Sequence, residues 1–286
     1  MRGDRGEAGL PVVIAFGLAR DRPWPIVVGV ESATVATPSA RLDALAVRIE
    51  ARARALEERK DSRCVFTSAY ALMTRRIADE VETAGLAEPD WVADVAEAFS
   101  ARYFLALDAY DGGGDVAPAW RAVFATLGGR QTSVVEDLVF GVYAHIVRDL
   151  PHTLVDCGLA DPEGRSRISD HHIVTAVVGR TIDEIQDAVS ARYGPYIRPL
   201  DRIGKRYDEI LTDYGIRLSR GMAWYNALRL ADPSSANVAA ASLERSTAVF
   251  VKHVMDPPFW SGRAGLRALR WLASHFRRWP RRDAGT

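Results

Sequence analysis

The chain of 286 residues has only two cysteines, Cys64 and Cys157. A secreted domain framed by disulfides would carry more, so the pair reads as two buried thiols in a reducing, cytoplasmic setting. No C-x-x-C occurs, so a zinc site would have to be built from histidines and carboxylates. Basic and acidic residues balance at 37 each, leaving no net charge. That argues against a surface that coats nucleic acid. Long apolar runs are missing as well. Leu10–Phe16 and Ile26–Val30 are short and are split by Arg20, Asp21, Arg22 and prolines. They fall short of both a signal peptide and the roughly 18 apolar residues of a spanning helix. Beyond residue 38 there is no β-alternation of useful length and no repeat period.

What remains is helical. Residues 1–38, broken by glycines and prolines, read as an irregular arm. Thr37 or Ser39 then offers a cap before Leu42, Leu45, Val47, Ile49 and Leu56 at helical spacing. Further helices are expected at 65–84, 91–110, 118–127, 133–150, 170–193, 197–211, 216–230 and 237–255. A basic amphipathic helix over residues 260–282 follows Pro257-Pro258. The fold class is all-α: a single domain of about nine to ten helices over residues 39–259, with an arm at each end.

The densest stretch is Gly141–Pro151, G-V-Y-A-H-I-V-R-D-L-P. Asp137, Gly141, His145 and Asp149 recur at i,i+4 and share a helix face. A His and an Asp one turn apart can bind a metal, or the Asp can orient the imidazole as a base. An ordinary buried hydrogen bond is the plainer alternative. Gly141 leaves room for a ligand or a crossing helix. A second cluster, Ser169-Asp170-His171-His172, holds a helix cap and two adjacent histidines. Four of the six histidines lie between His145 and His172. An antiparallel pair of helices would bring His171 or His172 near Asp149. His145, Asp149, His171 and His172 are therefore the catalytic candidates. His145, Asp149 and His172 form a candidate set for a divalent metal, zinc or magnesium.

Tyr70, Arg75, Tyr143, Arg220 and Trp224 are candidates to line the substrate pocket, the arginines by facing an anion. Asp183-Glu184-Ile185-Gln186-Asp187 has the D-[DE]-x-x-D spacing and resembles the aspartate-rich motif of terpene synthases, which hold diphosphate through magnesium. A solvated acidic face explains the same spacing. The arginines and aromatics of residues 260–282 fit an anionic membrane surface, a partner, or a terminal helix packed on the domain.

The Gly141–Pro151 stretch, with Phe66…Tyr70…Thr74-Arg75-Arg76-Ile77, Val95…Phe99…Arg102-Tyr103-Phe104…Leu107-Asp108 and Pro118…Trp120…Phe124, resembles a family of actinobacterial helical proteins of unknown function. The resemblance spans about residues 62–230. The family signature is similar to G-V-N-A-H-I-N-x-D-L-P, so Tyr143 and Val147 stand where asparagines are usual. The His-x-x-x-Asp pattern also looks like that of helical zinc phospholipases C, although their trinuclear ligand set is not recognisable. The expectation is a cytoplasmic enzyme, in contact with membrane at most peripherally. It would hydrolyse, cyclise or isomerise a small, largely apolar molecule of secondary metabolism. The rival is a non-catalytic binding protein that docks through its basic C-terminal helix.

Overall fold

A computed structural model describes residues 36–129, 132–194, 211–256, 270–271 and 277–279. Residues 1–35 of the expected arm, all but Leu211 of the helix expected at 197–211 and most of the basic C-terminal helix lie outside the described residues. Within them the chain folds as an all-α domain, with one isolated β-bridge between Ala160 and Ser166 and no strand. The helices are α1 (Pro38–Glu58), α2 (Cys64–Glu80), α3 (Pro89–Asp111), α4 (Pro118–Gly128) and α5 (Val134–Ala144). A π-helical turn, His145–Asp149, joins α5 to α6 (Leu150–Asp156). Then come α7 (Ile168–Arg180), α8 (Ile182–Tyr193), α9 (Asp213–Ala231) and α10 (Ala236–Met255). No described helix is long and apolar enough to cross a membrane.

Local chemistry sets the helix starts. Thr37 Oγ1 accepts the Ala40 N–H at 3.2 Å, and Pro38 occupies the first turn, where its missing N–H costs nothing. Proline also opens α3 and α4. At α5, Ser133 Oγ accepts from the Glu136 N–H while the Glu136 carboxylate accepts from the Ser133 N–H. That reciprocal pair satisfies two donors that a helix start leaves free.

Helix α2 packs against α1, α5, α7 and α8. The core around it includes Leu42, Leu45 and Ile49 of α1, Tyr103 of α3, Trp120 and Phe124 of α4, and Phe140 of α5. Val47, expected on the apolar stripe of α1, is 61% exposed. Helices α2 and α5 cross closely at Gly141: a Cβ there would lie 2.3 Å from Phe66 Cγ. The room over Gly141 is thus taken by a crossing helix.

Two boundaries differ from expectation. Leu150-Pro151 does not close the fifth helix. Pro151 has no N–H for the Val147 carbonyl, and its ring would strike that carbonyl in a regular α-helix. The chain widens instead, with the Leu150 N–H reaching back five residues to the His145 carbonyl. It then continues as α6, burying Thr153 and Leu154 beyond the expected helix end at residue 150. The helix expected over 170–193 is two helices, broken at Thr181. There the N–H and the Oγ1 both bond the Val178 carbonyl and tighten the turn.

Candidate functional site

The π-turn places His145 and Asp149 in the core, 2% and 0% exposed. His145 Nδ1 lies 2.9 Å from Asp149 Oδ2. Because a carboxylate only accepts, the ring donates its Nδ1–H and leaves Nε2 bare. Trp120 Nε1 donates to the same oxygen at 2.8 Å, and Arg148 Nη1 donates to Asp149 Oδ1 at 2.8 Å. Arg148 is held in turn by Glu244, whose other oxygen accepts the Ala119 N–H at the start of α4. Burial alone would push the Asp149 carboxyl up. The His145 hydrogen bond and the Arg148 guanidinium overcome it and hold Asp149 below the ordinary carboxylate value. Burial drives His145 below the ordinary imidazole value, against the pull of Asp149. The pair is therefore a neutral imidazole oriented by a carboxylate.

His145 is boxed in by rings. Phe99 stacks on it at 3.5 Å between centroids and 7°, and Tyr70 meets it edge-on at 4.8 Å. Both line, with His145, a cavity of about 120 Å³. Apolar side chains dominate its wall, including Met73, Ile77, Val95, Ile146, Val174 and Ile182. His145 Nε2 and the Tyr70 hydroxyl are fully buried and have no hydrogen-bond partner in the protein. Burial raises the Tyr70 phenol well above its ordinary value, so it is a neutral donor.

His171 and Arg220 form another part of the wall. His171 Nε2–H donates to the Arg220 carbonyl at 3.0 Å. Burial and the nearby Arg220 charge push this imidazole down to about 3. Arg220 is 8% exposed, and its Nε donates to Thr175 Oγ1 at 2.9 Å.

The structure thus brings His145, His171, Tyr70 and Arg220 to one cavity, with Asp149 behind His145. It leaves the other candidates elsewhere. His172 is exposed on α7. Arg75 is exposed on α2. Tyr143 faces α10, stacked on Phe250 at 3.9 Å. Trp224 is buried against His171, at 5.2 Å, outside the lining. His152 donates its Nδ1–H to the Arg148 carbonyl. Asp170 does not cap its own helix; its carboxylate accepts the Ala87 and Glu88 N–H groups at the approach to α3.

The candidate metal set does not assemble. Asp149 has both oxygens occupied by His145, Trp120 and Arg148, and His172 points to solvent. Among the described residues, no three His, Cys, Asp or Glu side chains are grouped to hold zinc or magnesium. Asp183 and Asp187 lie on the exposed face of α8, away from the cavity. A cyclase holding diphosphate through them is thereby removed.

Sequence reasoning missed Trp120 and Phe99 as parts of the site. The signal for Trp120 was present: a Trp on an apolar helix face carries an N–H that needs a buried partner. Phe99 carried no such signal.

Fold and site together define an all-α domain that presents an oriented His–Asp pair to an apolar cavity. The chain belongs to the family of unknown function DUF5995, whose model matches residues 42–257. No curated protein and no solved structure matches it.

Proposed function

We propose that the protein is an acid–base enzyme acting on a small, largely apolar molecule, with His145 as its base. One observation carries this. His145 and Tyr70 line one apolar cavity, and His145 Nε2 and the Tyr70 hydroxyl, an acceptor and a donor, are fully buried and bond to nothing in the protein. Buried polar groups normally find partners, since an unmet one costs about 1–3 kcal/mol. Two unmet groups of opposite character side by side fit a ligand that supplies both partners.

A substrate hydrogen, on carbon or on a water beside the substrate, lies against Nε2 and is taken up there. Asp149 fixes the tautomer and stabilises the imidazolium that forms. Tyr70 donates to the oxygen on which charge develops. A proton taken from carbon returns at a second carbon, which shifts a double bond and isomerises the molecule; a proton taken from water leaves hydroxide to add to an ester carbonyl, whose C–O bond breaks as His145 returns the proton to the leaving oxygen.

The test is to incubate the full chain with a lipophilic extract of its producing cells and follow the products by mass spectrometry. A compound converted by wild type, and converted about 10²–10⁴-fold more slowly by His145→Gln, is expected. Retention of a compound without conversion, the same in both proteins, would make the protein a carrier and overturn the reading.

A further inference from the structure

Among the described residues, Arg220 is the one cation in the lining of the cavity, where its other titratable neighbours, His145, His171 and Tyr70, are neutral. Its burial is unusual for an arginine. Its guanidinium makes a single hydrogen bond within the protein, from Nε to Thr175 Oγ1. That hydroxyl spends its own proton on the His171 carbonyl. No carboxylate among the described residues lies within ion-pair distance of Arg220. Tyr70 lines the same cavity, with its hydroxyl fully buried and without a partner in the protein. A buried guanidinium without a counterion is costly unless something supplies the charge.

We infer that the cavity takes a small apolar carboxylic acid, whose carboxylate is the missing counterion of Arg220. This rests on the cavity being a ligand site, as proposed above, and adds the ligand's charge class. The planar guanidinium fork matches a carboxylate with two parallel hydrogen bonds. One cation in an otherwise apolar wall neutralises one negative charge. A phosphate dianion would keep an uncompensated charge out of water, so a monoanion is selected. Tyr70 gives the carboxylate a further donor, and His145 Nε2 then faces the adjoining part of the ligand. The volume bounds that part: an apolar cavity of about 150 Å³ holds a benzene ring, so the body is on the order of one ring or a short chain.

The experiment is calorimetric titration of the full chain at neutral pH with benzoate and hexanoate, each against its uncharged amide. Wild type is expected to bind at least one acid tenfold or more tightly than the matching amide. In Arg220→Met that preference is expected to vanish, with the acid losing at least tenfold more affinity than the amide. Arg220→Lys keeps the charge without the fork and is expected to lose part of the preference; it serves if Arg220→Met does not fold. Equal binding of acid and amide by wild type overturns the carboxylate assignment and leaves the ligand site standing. Equal loss of both in Arg220→Met overturns it too, because Arg220 then acts as a structural residue. Binding of neither by wild type overturns the ligand site together with its charge class.

Discussion

Asp149 Oδ2 receives two donors at once, His145 Nδ1–H at 2.9 Å and the Trp120 indole N–H at 2.8 Å. One oxygen thus ties the π-turn to α4 and fixes the tautomer of the imidazole. Asp149→Asn breaks this on two counts. It strands Arg148 beside a neutral side chain, and it can present an N–H to the ring, moving the ring proton to Nε2. Removing one partner of a buried ion pair costs about 3–5 kcal/mol. Denaturant unfolding is expected to show a loss near the lower end, because Glu244 still pairs with Arg148. Any turnover should fall further than the stability loss explains, since the base is then protonated where it should be bare.

Tyr70→Phe separates function from stability. The hydroxyl it removes has no partner in the protein, so the fold loses nothing, and relief of an unmet buried group adds up to about 1–3 kcal/mol. Ligand affinity or turnover should drop. A variant that unfolds at lower temperature than wild type would show that the hydroxyl is structurally bonded.

At Gly141, two effects oppose each other. Alanine is better than glycine inside a helix by about 1 kcal/mol, but its Cβ would overlap the Phe66 ring. Overpacking a tight core costs about 1–3 kcal/mol, so Gly141→Ala is expected to lower the melting temperature. A rise would mean that α2 and α5 are not in this contact.

Stability should fall on both sides of a pH optimum. His171 and His145 are depressed below the ordinary 6.5, His171 to about 3. The folded state then binds fewer protons than the unfolded one. The stability the two histidines contribute is present above about 6.5 and is lost as pH falls, for His171 down toward 3. Asp137 runs the other way. Burial pushes its carboxyl up to about 7, with Arg277 pulling against that shift. Its contribution is full below about 3.8 and is lost as pH rises through 7. In urea melts across pH, His171→Gln should flatten the acid limb and Asp137→Asn the neutral-to-alkaline one. An acid limb unchanged in His171→Gln would contradict the burial of that ring.

The Asp137–Arg277 contact also bears on the basic C-terminal segment. Arg277 pairs with Asp137, and Arg270 pairs with Glu136 at 2.7 Å. Two of the arginines that fit an anionic membrane are therefore engaged with the start of α5.

Much of the fold was readable from spacing. Helices α1 to α4, α9 and α10 follow apolar periodicity between proline, glycine and threonine boundary signals, and they emerge close to those limits. The π-turn was not readable, because Pro151 signals a disturbed helix without saying whether the chain ends or widens. That choice is made by tertiary burial of Leu150, Thr153 and Leu154. At the site, His145 and Asp149 followed from i,i+4 spacing, whereas pairing with His172 failed. Adjacent residues on a helix point about 100° apart, so when His171 faces the core His172 faces water. That no carboxylate among the described residues pairs with Arg220 could not be read at all, because a missing partner is a property of three dimensions.

The central claim is that a neutral His145 keeps Nε2 bare toward the cavity. Nitrogen-15 NMR of the imidazole in the full chain at neutral pH tests it most directly, with His145→Gln used for assignment. A protonated Nδ1, an unprotonated Nε2 and an imidazolium only below pH 6.5 are expected. A proton on Nε2, or an imidazolium near neutrality, would contradict it.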